Sequence, residues 1–272
     1  MPEGMNTLIE NLQLACDAMR RAGLERMDSV QLMRRFDAKY VVPESWLPGL
    51  VDAMKGHAHL LEVEGQWDAR YDNVYYEPPG DDFLLDHLRG RSRRMKVRTR
   101  TYGSNGMSFL EVKRRFPGGR TLKDRMRRTG EGVQLDAQEH TFLAQHVKNM
   151  DLEPRLHGGF QRLTLVDFDR KERVTIDRGL TCGLHGEAPQ SLLEGLAIIE
   201  VKQPRPDRYG PAQRWLRGKD GRQGIVGRKT RVSKYTVSRL MCDPDIAGRT
   251  YLSTYRRLQD ARSWAEDLQA KT

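Results

Sequence analysis

Arg94, Lys96, Arg98 and Arg100 stand at every second position, with Met95, Val97 and Thr99 between them. In an extended chain this spacing puts all four cations on one face and the intervening residues on the other. Beyond the turn Gly103-Ser104-Asn105-Gly106, the run Phe109-Leu110-Glu111-Val112-Lys113 alternates again, with Glu111, Lys113 and Arg115 in one phase. After Pro117-Gly118-Gly119 the period returns in Lys123, Arg125 and Arg127. Residues 89–128 hold 15 Lys or Arg against two acids, Glu111 and Asp124, a local balance of +13 in a chain whose total is +10. A solvated sheet face is the plainer account, but such faces mix both signs, because like charges set opposite each other destabilise a sheet. Guanidinium forks and ammonium point charges on one face are the chemistry of phosphate binding. The pattern predicts a cation-lined concave surface for a polyanion.

The rest of the chain supplies elements to hold that surface. Residues 6–22 have apolar positions at helical spacing, Leu8, Ile9, Leu12, Ala15, Cys16 and Met19, with Gly23 as a stop. A strand is predicted over 34–42, with Arg35, Asp37 and Lys39 on one face and Phe36, Ala38 and Tyr40 on the other. A short helix follows over 44–54, Pro43 in its first turn and Pro48 a kink. Further strands are predicted over 70–76, 160–168, 173–177 and 197–202, the last with Glu200 and Lys202 on one face. Helices are predicted over 83–88, 136–150, 206–216, 233–240 and 251–270. With the three basic strands this makes about eight strands, most carrying a cation in a face-alternating position. A buried unpaired charge costs several kcal/mol, so the strands can gather these cations only around a polyanion or its counterions. Closure into a barrel would also remove exposed strand edges. The expected fold is α+β: an eight-stranded antiparallel β tunnel or barrel lined with Lys and Arg and flanked by helices. No Ser- or Thr-rich linker interrupts the chain, and a single domain over 1–272 is expected, with a core of about 34–240.

Composition narrows the partners. The chain has 272 residues, 31% of them charged, and a pI near 9.6, which points to an anionic partner. Aromatic residues are only 7%, thin for the stacking platforms of single-strand nucleic-acid binders, so nucleic acid is disfavoured. Cys16, Cys182 and Cys242 are odd in number and widely spaced. They read as reduced thiols of a cytoplasmic protein. There is no signal peptide pattern and no apolar run of membrane length. His57 and His59 lack a third ligand at zinc spacing, and no GxxxxGK[ST] sequence offers a P-loop.

Seven segments in order carry a resemblance. They are Arg35-Phe36-Asp37-Ala38-Lys39-Tyr40, Lys96-Val97-Arg98-Thr99-Arg100-Thr101-Tyr102, Glu111-Val112-Lys113, Lys123-Asp124-Arg125, Arg173-Val174-Thr175-Ile176-Asp177, Ile199-Glu200-Val201-Lys202 and Ser233-Lys234-Tyr235. Over about 34–240 the chain resembles the catalytic domain of the vacuolar transporter chaperone (VTC) polyphosphate polymerases, within the triphosphate tunnel metalloenzyme or CYTH-like superfamily. The resemblance implies a metal-dependent enzyme, with Mn²⁺ or Mg²⁺, that moves the γ-phosphate of ATP onto inorganic polyphosphate or pyrophosphate. It implies Lys39, Arg98, Arg100, Lys113, Lys123, Arg162 and Arg173 as phosphate-binding cations and Glu200 as the metal-binding carboxylate. Ser233 and Lys234 would contact phosphate at the tunnel's end, with Lys234 the essential lysine; Lys234, Arg98, Arg100 and Glu200 form the implied catalytic set. Two positions depart from the pattern. The Glu-x-Glu-x-Lys of the wider superfamily reads Arg35-Phe36-Asp37-Ala38-Lys39 here, and a tyrosine often found two residues before Arg162 is Phe160.

Three functions remain open on the sequence. The first is a polyphosphate polymerase, and the second a tunnel triphosphatase acting on inorganic triphosphate or a nucleoside triphosphate. The third is a binder of polyphosphate or nucleic acid without turnover. The dull reading of Glu111 and Glu200 is a cross-strand ion pair with Lys113 and Lys202, each worth under about 1 kcal/mol.

Overall fold

Residues 3–30, 36–147, 151–218, 226–243, 246 and 249–269 are described in a computed structural model of the chain. Their order is α1 (Glu3–Asp17), β1 (Arg20–Ala22), β2 (Phe36–Pro43), α2 (Leu47–Met54), β3 (His59–Leu61), β4 (Ala69–Glu77), α3 (Asp82–Leu88), β5 (Arg94–Tyr102), β6 (Ser108–Arg115) and β7 (Thr121–Arg127). Then come α4 (Ala137–Ala144), β8 (Glu153–Asp167), β9 (Glu172–Leu184), β10 (Gln190–Ser191), β11 (Leu196–Gln203), α5 (Pro211–Gly218), α6 (Lys234–Cys242) and α7 (Arg249–Gln269). Eight strands pair in the order β2-β11-β9-β8-β4-β5-β6-β7, every neighbour antiparallel, with the short β1, β3 and β10 attached at the side.

Alternation is strict where it matters. In β5, β6 and β7 the register sets Lys96 opposite Lys113 and Lys113 opposite Lys123, and sets Arg98 opposite Glu111 and Glu111 opposite Arg125. The other phase, Val97, Leu110 and Val112, is fully buried beneath α4 and its flanks, against Tyr76, Phe83, Leu143 and Val147. A second and larger apolar cluster packs mainly on the outer face of β2, β11, β9 and β8, where α1, α2, α5 and α7 contribute Leu12, Leu50, Leu216 and Leu258, and it extends to Val237 of α6 and the rings of Tyr75 and Phe160. Most of the aliphatic side chains therefore lie outside the sheet, and the charged ones inside it.

The pairing path ends at β2 and β7, so main-chain bonding does not close the barrel among the described residues. The C-terminal part of the chain covers the gap on the β2 side. Val226 and Thr230 form bridges to Val41 and Lys39 along the free edge of β2, and α6 follows directly across the tunnel.

Several local expectations are corrected. The first helix stops at Asp17, and residues 20–22 are instead a strand whose main chain meets the edge of β3. A 3₁₀ turn at Glu44–Trp46 precedes α2, which puts Pro48 in the first turn of α2 rather than at a kink; the missing N–H costs nothing there. Strands β8 and β9 run 15 and 13 residues, longer than the predicted 160–168 and 173–177, because each pairs with three other strands along its length. The helix predicted at 206–216 begins only at Pro211. Arg34 and Arg35 at the start of the first strand, residues 148–150 and Gly224 lie outside the described residues.

This two-faced design predicts opposite responses to substitution on one strand. Leu110→Ala is expected to lower the unfolding free energy by about 2–5 kcal/mol through the cavity it leaves. Lys113→Gln, three residues on and facing inward, is expected to hold or raise the urea midpoint because it removes one of three facing lysines. A loss for Lys113→Gln as large as that for Leu110→Ala would contradict the assignment of faces.

Candidate functional site

Strand register brings the tunnel lining together row by row. On one wall Lys96, Lys113 and Lys123 lie side by side across β5, β6 and β7. Beside them run Tyr75, Arg98, Glu111 and Arg125, and then Asn73, Arg100, Phe109 and Arg127. On the facing wall the rows are Asp37, Lys202 and Arg173, then Lys39, Glu200 and Thr175, then Ile198, Asp177 and Arg162. The inward faces of the two walls lie close enough for Lys39 and Glu200 to perturb the Lys113 ammonium.

Three of the lining carboxylates pair with cations, and each is shared. Glu111, 2% exposed, accepts from Arg98 Nε at 2.8 Å and Nη2 at 2.6 Å and pairs with Lys123 at 2.5 Å; Lys113 is not its partner. Burial works to raise its carboxyl, but Arg98 and Lys123 outweigh that and hold it at about 2. Asp177, fully buried, takes both arms of Arg162 at 2.5 and 2.7 Å and also the Lys234 ammonium. Arg162 and Lys234 override its burial and keep it well below the carboxylate range. Glu200 pairs with Lys202 at 2.7 Å and Lys39 at 3.9 Å, and these cations likewise hold it ionised against burial.

The cations outnumber these acids. Removal from bulk water, helped by neighbouring cations, lowers Lys96 strongly and brings Lys113, Lys202 and Lys234 each to about 8. Burial, then Arg98 and Arg162, lowers Arg100 to about 10. Burial also lowers Lys123, against the pull of Glu111. Lys113 and Lys123 are open to water along the tunnel, so their cost is incomplete solvation between protein walls rather than dry burial.

The loop into α6 closes one end. Ser233 caps the helix, its hydroxyl accepting from Thr236 N at 3.4 Å and from Lys96 Nζ at 2.7 Å. Lys39 Nζ donates to Val232 O at 3.2 Å. Lys234, at the first turn, is only 23% exposed, so it is an inward, paired lysine. Its side chain lies 4.8 Å from the Phe160 ring centre. Tyr235 stacks on Tyr75 at 4.6 Å and donates to Glu77, which anchors the helix to the wall.

The predicted set Lys39, Arg98, Arg100, Lys113, Lys123, Arg162, Arg173, Glu200, Ser233 and Lys234 thus shares the sheet's inward face or the α6 cap. Sequence reasoning put Lys96 and Lys202 on charged faces but gave them no part in the site, where Lys96 completes a lysine row and Lys202 lies between Asp37 and Arg173; it also missed Asp177 as the junction of Arg162 and Lys234. Phase alone pointed to the first two, since each lies two residues from a chosen partner. Also missed was an aromatic floor. Tyr71 stacks on Phe160 at 5.3 Å, and the guanidiniums of Arg100 and Arg162 lie 5.0–5.8 Å from these two rings. Phe160, in place of the family's tyrosine, offers a cation–π face where a hydroxyl would have been.

The donor set can be tested for a divalent ion. Among the described residues no three His, Cys, Asp or Glu side chains cluster as a metal site, and Glu200 pairs with two lysines, Lys202 and Lys39. One carboxylate fits Mg²⁺ or Mn²⁺ when phosphate oxygens and water fill the remaining positions, so the residues fit a metal that arrives with its phosphate. No helix among the described residues is long and apolar enough to cross a membrane.

Among curated proteins none matches the chain significantly. Solved structures similar to it include HpAC1 from Hippeastrum, described as having a dominant triphosphatase activity, at 14% identity and TM-score 0.41 over 76% of this chain and 95% of that one. An adenylate cyclase candidate (bh2851) from Bacillus halodurans is 14% identical, TM-score 0.37, over 62% and 80%. The PH1819 protein of Pyrococcus horikoshii OT3 is 13% identical, TM-score 0.35, over 62% and 77%. Likeness this slight does not bear on activity. The VTC domain model matches residues 34–242, a span that includes every tunnel-facing residue described above and ends with α6. The chain belongs to the VTC domain family.

Proposed function

We propose that the protein is a metal-dependent polyphosphate polymerase that transfers the γ-phosphate of ATP to the end of an inorganic polyphosphate chain inside the tunnel. The observation that carries this reading is the ion pairing of the lining, in which Glu111, Asp177 and Glu200 each face two cations. Glu111, Asp177 and Glu200 are all held ionised by cations, which makes each a poor base for taking a proton from water. A phosphate chain end needs no such base, since its attacking oxygen is already an anion. Hydrolysis, the triphosphatase alternative, would need a base to activate water, and these three carboxylates are committed to cations.

The chain's residues act by holding charge. Arg98, Arg100, Arg162, Lys113 and Lys123 bind the phosphate oxygens, and Arg173 and Lys39 extend that lining. The new bond forms between the chain-end oxygen and the γ-phosphorus, and the bond from that phosphorus to the bridging oxygen breaks, leaving its electron pair on ADP. Lys234 and the amino end of α6 converge on one region, where Lys234 tracks the charge as it shifts. A Mn²⁺ or Mg²⁺ ion bound through Glu200 would supply further neutralisation of phosphate oxygens. The facing lysines also explain why an anion is wanted: it supplies the negative charge that the three carboxylates do not.

Incubation with ATP and Mn²⁺ or Mg²⁺ is expected to yield polyphosphate ladders on a sizing gel; release of free phosphate without ladders would favour the triphosphatase. Lys234→Ala is expected to slow synthesis by a factor of about 100 or more while the melting temperature changes little, because Asp177 keeps both arms of Arg162. Near wild-type synthesis would remove Lys234 from the chemistry. Glu200→Gln is expected to lower turnover far more than stability, and unchanged turnover at saturating Mn²⁺ would make Glu200 only the partner of Lys202 and Lys39.

The lowered lysines give the ligand-free protein a pH signature. Lys113, Lys202 and Lys234 are lowered to about 8 in the folded chain, against roughly 10.4 unfolded. Between these values the unfolded chain binds more protons, so their contribution makes stability rise with pH through that window. Melting temperature is expected to climb from pH 8 toward 10 without anion. Tripolyphosphate is expected to raise it at pH 7 and flatten the climb. A ligand-free melting temperature that falls across this range would contradict the lysine assignment.

A further inference from the structure

Cys182 and Cys242 are 60 residues apart in sequence, yet their Sγ atoms lie 3.6 Å apart. Cys182 is fully buried on β9, and Cys242, the last residue of α6, is half-buried. Gln190, opposite Cys182 in the β9–β10 register, donates its side-chain amide toward Cys242 Sγ at 3.6 Å. The other end of α6 is tied to the same strand by Lys234 and Asp177. From residue 234 to 242 the helix rises roughly 12 Å, and from 177 to 182 the strand advances roughly 16 Å. The helix therefore lies along β9, held at its first turn by an ion pair and at its last by two adjacent thiols.

We infer that Cys182 and Cys242 form a reversible disulfide, a redox latch that locks α6, the helix carrying Lys234, onto the tunnel wall. Closing the bond requires the sulfur atoms to approach by roughly 1.5 Å, so oxidation fixes the helix where it already stands. The oxidant is a small-molecule disulfide such as oxidised glutathione. Cys242, the more accessible thiol and the one facing the Gln190 amide, attacks as thiolate and releases one glutathione. Cys182 then displaces the second glutathione from Cys242, and its proton passes to that departing thiolate. Two thiols are oxidised and one disulfide is reduced to two thiols. Burial, then Cys242, pushes the Cys182 thiol up to about 12, which makes the second step the slow one and faster at higher pH. Cys16, buried and likewise pushed up to about 12 by that burial, stays free.

The test uses the full chain and does not depend on what the tunnel catalyses. After equilibration with oxidised glutathione, thiols are counted in denaturant and peptides mapped without reduction. The expected result is one free thiol in place of three and a Cys182–Cys242 linked peptide. Melting temperature should rise by about 5 °C or more, α6 amides should exchange more slowly, and dithiothreitol should reverse both. Cys242→Ala should abolish the shift. Three free thiols, another pairing, or glutathione retained on Cys242 would each overturn the latch, and the mapping on wild-type protein decides this even if the variant fails to fold.

Discussion

Like charge facing like charge is the constraint on which this structure turns. Lys96, Lys113 and Lys123 lie directly opposite one another across three strands, a juxtaposition that weakens a sheet. The strands nevertheless pair because their other faces bury Val97, Leu110 and Val112 under α4, each apolar side chain worth roughly 1.5–3 kcal/mol. Burial outside the sheet thus holds repulsion inside it. The helices that flank the tunnel are the source of the apolar surface that makes a cationic interior tolerable.

The carboxylates are distributed with the same economy. Glu111, Asp177 and Glu200 sit on different strands, and each serves at least two cations. This arrangement prevents the interior from becoming uniformly repulsive without neutralising it. Asp177 orients Arg162 and Lys234 together, while Glu111 draws Arg98 toward Lys123. Removing either acid would leave its cations both disordered and unpaired, a heavier cost than one lost surface bridge. Order in the lining and residual positive charge are thus two results of one set of contacts.

Helix α6 joins the parts. Its cap binds Lys96, its first residue reaches Asp177, Tyr235 stacks on the wall, and the fully buried Arg239 forms a two-pronged pair with Asp81 at 2.9 and 2.8 Å. The preceding residues cover the edge of β2. A single short segment therefore supplies edge protection, an end cap and an inward lysine, and its position is coupled to several strands at once.

Much of this was legible in the sequence because a strand has a period of two and nothing more is needed to sort its residues by face. The alternation of Arg94 to Arg100, of Glu111 and Lys113, and of Glu200 and Lys202 determined which side chains look inward, and the helix predicted over 233–240 anticipated α6. Distance between walls has no such local signature. That Asp177 joins Arg162 to Lys234, that Glu111 chooses Arg98 and Lys123 over its neighbour Lys113, and that Phe160 meets Tyr71 all depend on how the sheet curls. Cys182 and Cys242, read from spacing as separate thiols, meet only because α6 lies along β9. The sequence by itself determined the faces of the strands; the tertiary structure decided which faces meet, because curvature and helix packing are set by the whole apolar shell at once.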